Sequence, residues 1–382
     1  MAKEKFAIIL TLCCICATGI NTLMAQTPEW KKGILVDEFI FDTAAFPASH
    51  APTIAETPAG LIAAWFGGTK EGYNDVEIRM SRLVDGKWTK PVSIADGIIN
   101  DCTRVATYNP VLFQVPGGDL LLFYKVGNMV ANWRGWMKTS ADNGLSWSQP
   151  IPLPGGFLGP AKNKPVMQNN GILIAPSSTE NDGWKIHFEI SADTGKTWHK
   201  TNDVNNGKTI EAIQPTILFH KDGQLQALTR SKQRAIMQCW SKDGGETWSP
   251  LTKTNLPNNN SGLDAVTLAD GRHLLVYNHV LPADSLVNGK GARTPLNVAV
   301  SKDGINWYAS LVLEDSPVSQ YSYPSVIQSA DGMVHIVYTW RRKKIKYVKI
   351  DPSQLPAKKI IEGKWPVFKG YKAPPAGEVT DD

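Results

Sequence analysis

Arg230, Arg293, Tyr323 and His50 are the side chains of this sequence whose types and positions could do chemistry together. Guanidinium groups offer paired N–H donors that meet a carboxylate at two points. A phenol, with an ordinary pKa of about 10, attacks only when a base lies beside it. An imidazole, at about 6.5, takes and returns a proton near neutral pH. Together such groups would hold a carboxylate-bearing substrate and break a bond next to it. A site that only binds the same ligand needs the arginines alone.

A repeated register surrounds these residues. A residue precedes proline in Ala51-Pro52, Asn109-Pro110, Lys164-Pro165, Gln214-Pro215 and Tyr323-Pro324, with Asp264-Ala265 in the corresponding place. Further on in each repeat comes a turn glycine, at Gly60, Gly118, Gly171, Gly223, Gly271 and Gly332, followed by an apolar run. Seven positions after the glycines stand Gly67, Lys125, Ser178, Arg230, Asn278 and Thr339, with Glu180, His279 and Arg341 just beyond. Both sets fall at strand ends on one side, so they are expected to line one polar mouth. The set there is His50, Asn109, Lys164, Gln214, Asp264 and Tyr323 from the first strands, with Lys125, Arg230, Glu180, His279 and Arg341 from the second. Asn109 and Asp264 could equally bond strand ends. His187, His199, His220, His273 and His335 fall in strands or turns and read as ordinary surface or core groups.

The elements that must position this mouth are strands. Thirteen Trp, 32 Gly and 25 Pro point to many short strands and turns. Six glycine turns, 48 to 61 residues apart, imply six blades of about four strands, with seven left open. The apolar run Val36–Phe41 could supply the outer strand of the last blade. A second repeat marks the blades: Ser140–Trp147, Ser191–Trp198 and Ser241–Trp248 share the pattern S-x-D-x-G-x-[TS]-W. Ser301–Trp307 is one residue shorter, and Ser81–Trp88 is a worn copy. Asp and Ser side chains would bond the turn, Gly would take a left-handed position, and Trp would pack under the blade. The carboxylates of a calcium loop are missing from it.

Residues 1–25 read as a signal peptide: Lys3 and Lys5 precede an apolar core that ends at Leu23-Met24-Ala25. The expected protein is therefore secreted or periplasmic, with one domain over residues 26–382. No other segment has the length of a membrane span. Cys102 and Cys239 could form one bridge, which falls short of a disulfide framework. A net charge of +5 is too small to imply nucleic acid, and Arg341-Arg342-Lys343-Lys344-Lys346 reads as the exposed face of a strand. No cofactor motif or metal-ligand spacing occurs, so no cofactor and no metal are expected.

The repeated pattern is the Asp box, and with it the chain resembles the sialidase superfamily over roughly residues 50 to 350. The resemblance implies an all-β, six-bladed β-propeller. It also implies three arginines on a sialic acid carboxylate, a Tyr nucleophile activated by a Glu, and an acid/base Asp. Arg230 and Arg293 fit the second and third arginines, Tyr323 in YSYPSV fits the nucleophile, and Asp75 fits the acid/base loosely. The first arginine's place holds His50-Ala51-Pro52, and the activating Glu's place holds Gln214. Those departures turn the expectation toward other propellers that act on acidic glycans. The reading favoured is an exported, monomeric exo-glycosidase that releases α-L-rhamnose capping glucuronate, in the manner of glycoside hydrolase family 145. His50 would be acid/base and Tyr323 a second catalytic group. Arg230 and Arg293 would clamp the carboxylate, while Lys164, Gln214 and Asp264 position hydroxyls. An exo-α-sialidase, a uronate lyase and a non-catalytic glycan-binding propeller stand as alternatives.

Overall fold

Tight glycine turns open each hairpin near the axis. In the computed structural model of the chain, residues 27–318 and 320–373 are described. Gly60, Gly171, Gly223, Gly271 and Gly332 have φ between 81° and 109°, a region that costs glycine little. In the second repeat Gly117 takes that role, with φ 68°. The innermost strands are Ala48–Thr57, Thr107–Gln114, Val166–Met167, Ala212–Phe219, Asp264–Thr267 and Tyr321–Gln328. Each pairs with the strand after its turn, and six antiparallel sheets of four or five strands result. They form the six blades of a β-propeller, as the repeats imply.

The sixth blade is finished by the start of the chain. Ile34–Phe39 pairs antiparallel with Lys344–Ile350 as its outermost strand, two residues earlier than the apolar run suggests. At the other end, Lys358–Lys359 adds a fifth strand to the blade of Trp307–Glu314. Phe368 is fully buried in the adjoining core, an arrangement the repeat pattern does not announce. The signal segment expected over residues 1–25 lies outside the described residues.

The Asp boxes lie on the face away from the inner-strand starts, and they join blades. In the second blade Ser140 Oγ accepts from Gly144 N at 2.8 Å, while Asp142 takes Ser146 N at 2.8 Å and the Ser146 hydroxyl at 2.5 Å. Each box glycine abuts the blade before it. A Cβ on Gly245 would lie 2.7 Å from Ile174, and one on Gly304 would lie 2.0 Å from Gln226 Oε1. The tryptophans follow: Trp248 stacks on Phe188 of the preceding blade at 3.8 Å between ring centroids. Cys102 is exposed and Cys239 buried, both as free thiols, so the possible bridge is not made. Among the described residues no helix is long and apolar enough to cross a membrane.

Candidate active site

Four of the six innermost strands bulge at the residue before proline. Ala51, Asn109, Gln214 and Tyr323 have φ of 50°, 37°, 58° and 54°. At each, the pairing with the second strand slips. A non-glycine residue held in the left-handed region costs on the order of 1–3 kcal/mol and persists only where its surroundings impose it. The bulge leaves two residues out of the ladder and re-aims the side chain. Proline suits the second place because it has no N–H to orphan. Lys164-Pro165 instead precedes the short strand Val166–Met167, and Asp264 begins its strand in regular register with Val276.

These bulges bring Tyr323, Gln214 and Arg230 together. Arg230 Nη1 donates to the Tyr323 hydroxyl at 2.6 Å and to Gln214 Oε1 at 3.1 Å, and its Nε donates to Asn260 Oδ1 at 3.1 Å. Its guanidinium also lies 5.2 Å from the Trp184 ring. Arg293 approaches the Tyr323 ring to 5.5 Å and donates to Gln320 Oε1 at 2.9 Å. On the other side of Tyr323, His50 packs at 4.3 Å between ring centroids. A cleft of about 540 Å³ opens here, lined by Arg230, Arg293, Arg342, Lys232, Lys290 and Glu180.

Arg342 is the residue sequence reasoning passed over. Its neighbour Arg341, the one expected at the mouth, lies instead 5.2 Å over the Trp340 ring. Arg341 and Arg342 both adopt φ of 52°, forming the tight turn that carries the second side chain to the cleft. Arg342 there pairs with Glu71. The basic cluster is thus not one exposed face, since Lys344 and Lys346 pack over Phe39 at 4.6 and 5.3 Å. The only local signal was a pair of arginines at a strand end, which also fits a solvated hairpin.

Other expected members tie the ring together. Lys164 Nζ bonds both oxygens of buried Asp264, at 3.1 and 2.9 Å, and Asp264 also accepts from Thr216 Oγ1 and Val326 N. Asn109 donates to Ala161 O at 3.1 Å, and buried Lys125 donates to Pro160 O. His279 lies between Tyr277 and Gly363, away from the cleft. Lys162, another residue the register missed, is buried at the axis 5.8 Å from the Tyr323 ring. Its Nζ bonds Asn163 Oδ1, Leu263 O and Pro324 O. Burial pushes its pKa down to about 7, while those three acceptors can hold all three ammonium protons.

The electrostatics divide the candidate chemistry. Burial, then Arg342, Arg293, Arg230 and Lys162, push His50 well below its ordinary pKa, so it stays neutral at pH 7. Glu180 is raised by burial, against the pull of Arg230 and Lys232. Asp75 is exposed and occupied by its own loop, accepting from Thr69 N and Oγ1 at 2.8 Å each. Among the described residues no carboxylate hydrogen-bonds the Tyr323 hydroxyl, and none groups with His or Cys as three or more candidate metal ligands.

A family model described as the BNR repeat-like domain matches residues 59–336, which hold the four good Asp boxes. The chain belongs to this family, within the sialidase superfamily. A curated relative, the anhydrosialidase of Macrobdella decora, is 26% identical over 236 residues, 55% of this chain and 30% of that protein. The match therefore spans less than a third of that relative's length. Among solved structures, the Hadza microbial sialidase Hz136 superposes with a TM-score of 0.69 at 17% identity, over 83% of this chain and 69% of that one. The intramolecular trans-sialidase of Ruminococcus gnavus gives 0.64 at 15%, over 85% and 99%. The α-L-arabinanase of Penicillium chrysogenum gives 0.63 at 15%, over 85% and 99%. At such identities the shared feature is the fold. Arg230 and Arg293, the two arginines that fit the resemblance, both reach the cleft. The first blade contributes His50, and the sixth contributes Arg342.

Proposed function

We propose that this chain is an exo-acting glycosidase whose terminal substrate sugar carries a carboxylate, seated on Arg230, Arg293 and Arg342. The observation that carries the reading is the arrival of three guanidinium groups, from the fourth, fifth and sixth blades, in one cleft beside Tyr323. Paired N–H donors on a planar carboxylate give both energy and orientation. Tyr323 Oη would face the anomeric carbon, with Arg230 lowering the cost of the phenolate in place of the missing base, so that water can take the proton. Glu180, whose pKa burial raises against the pull of Arg230 and Lys232, would donate to the leaving oxygen.

The narrower expectation, rhamnose released from glucuronate, asks His50 to hand over a proton. Its burial among four cationic groups works against that role. A sugar carrying its own carboxylate, as sialic acid does, suits the arginines better, and the names of the sialidase and trans-sialidase relatives support the same choice. Action outside the cytoplasm belongs to the proposal and rests on the leader-like residues 1–25.

Gln214 favours a second reading, a glycan-binding propeller without catalysis. Its Oε1 accepts from Arg230 where the resemblance asks for a carboxylate, which leaves Tyr323 without a base. One experiment separates the two. Purified protein is incubated with 3′-sialyllactose and a 4-methylumbelliferyl α-sialoside, alongside Arg230→Ala and Tyr323→Phe. The enzyme reading expects free sialic acid and a loss of about 10²–10³-fold in kcat for Tyr323→Phe. Binding abolished by Arg230→Ala, with no product from any form, would leave the binding reading standing.

A further inference from the structure

We propose that the flank between the second and third blades is a subsite for the rest of the glycan, an aromatic trough for the neutral sugars beyond the cleft. The inference rests on the carboxylate reading above and names what that sugar is attached to. Three hollows adjoin and share wall residues. The arginine cleft shares Glu180 with a narrow neck of about 30 Å³, whose wall also includes Gln214 and Lys125. The neck shares Trp133, Leu158 and Asn181 with a groove of about 510 Å³ that continues along Trp136 and Phe157. That volume lies within the ~300–1,000 Å³ range of small-molecule sites.

The lining changes character along this path. The cleft is crowded with guanidinium and ammonium groups, whereas Arg134 is the groove's one charged residue. Trp133, Trp136 and Phe157 are each half-buried, so part of each ring faces the trough. The C–H faces of a pyranose stack on such rings, and the exposed polar edges meet Thr179 and Asn181. Val130, on the turn Val130–Asn132, edges the neck, and neighbouring Met129 is 57% exposed. An apolar rim of this kind beside a charged cleft fits a neutral, ring-shaped partner and not a second acid.

The trough is also held in fixed relation to the cleft. A run of ring contacts links Tyr323 to His50 at 4.3 Å, His50 to Phe66 at 5.5 Å, Phe66 to Tyr108 at 6.0 Å and Tyr108 to Trp133 at 4.8 Å. Gly135 lets the groove floor close up, since a Cβ there would lie 2.8 Å from Leu153 and Leu158. A preformed surface avoids paying ordering entropy at binding, which is where affinity for extra sugars comes from.

The test uses two ligand pairs on the full protein carrying Tyr323→Phe, which slows cleavage, by isothermal titration: sialic acid with 3′-sialyllactose, and glucuronate with a glucuronyl xylotriose. Within a pair that binds, the longer ligand is expected to bind about tenfold tighter. Trp136→Ala or Phe157→Ala, added to that parent, should erase the gain and leave monosaccharide affinity within about twofold of the parent's. Two separate variants guard against one that fails to fold, and retained monosaccharide binding certifies each. Equal affinity for both members of the binding pair, or a gain that survives both substitutions, overturns the trough alone. Failure of both monosaccharides to bind overturns the carboxylate reading, and the trough falls with it.

Discussion

His50 is a histidine that the ring keeps uncharged. Burial and cations hold its folded pKa well below 6.5, so the unfolded chain binds a proton that the folded chain refuses. Stability contributed by such a group is present above pH 6.5 and is lost as pH falls below it. His273, His279 and His335, each at about 4, act in the same direction. The melting temperature is therefore expected to fall between about pH 6.5 and 4, and His50→Gln should make that fall shallower. A slope unchanged in His50→Gln would mean that the imidazole is already protonated in the folded state. Gln214 gives a second test at this scale. Gln214→Glu would set a carboxylate against Arg230 and within reach of Tyr323, supplying the missing base. Hydrolysis of the aryl sialoside should rise by at least about tenfold in kcat, the lower part of what a positioned base contributes. No rise would take Tyr323 out of the nucleophile's role.

Single elements divide into those whose chemistry is local and those that depend on a neighbour. The hydrogen bonds of the Asp box are local: Ser, Asp, Gly and the Trp indole close them within one turn, and the sequence pattern therefore marks each blade even though Gly and Trp pack on the blade before. The proline slots were legible for the same reason, since a residue before proline at a fixed distance from a turn glycine records a bulge. Arg342 and Lys162 were not legible. A two-residue left-handed turn decides which arginine reaches the cleft, and Lys162 is placed by carbonyls of the fifth and sixth blades. The box also predicts behaviour. Asp243 and Asp303 are held at about 2, Asp243 chiefly by its bonds with Thr247 and Asp303, against its burial, by those with Asn306 and Ile305. Their stabilisation is present above about pH 4 and is lost as pH falls toward 2, so acid unfolding should move to higher pH in Asp243→Asn. Gly304→Ala would drive a methyl into Gln226 of the preceding blade, at a φ of 68°. It should cost about 1–3 kcal/mol in urea unfolding, as overpacking does.

At the scale of the molecule, the polar groups near the axis serve two purposes. Lys164, Asp264, Thr216 and Val326 N link the third to the sixth blades through one carboxylate, while Arg230, Arg293 and Arg342 face the cleft. Asp264→Ala is expected to destabilise the fold by about 3–5 kcal/mol in chemical unfolding, because it strands a half-buried ammonium. Arg230→Ala should weaken ligand binding instead. From sequence alone Lys164, Asp264 and Arg230 looked alike, all being polar residues in the same register. Which of them faces ligand and which faces protein depends on distances across the ring.

The strand Ile34–Phe39 has a consequence for the order of events. Ile34 pairs with Ile350, so the last blade cannot be completed until nearly the whole chain is available. Until then Lys344–Ile350 presents an unpaired edge, the kind of surface that recruits other chains. Contacts so distant in sequence form slowly. The first four strands of five blades can assemble from neighbours, whereas the sixth waits for a partner made first and used last. The vulnerable moment in this protein's life is therefore the interval before the ring shuts, and dilution or a chaperone that shields that edge should raise the refolding yield.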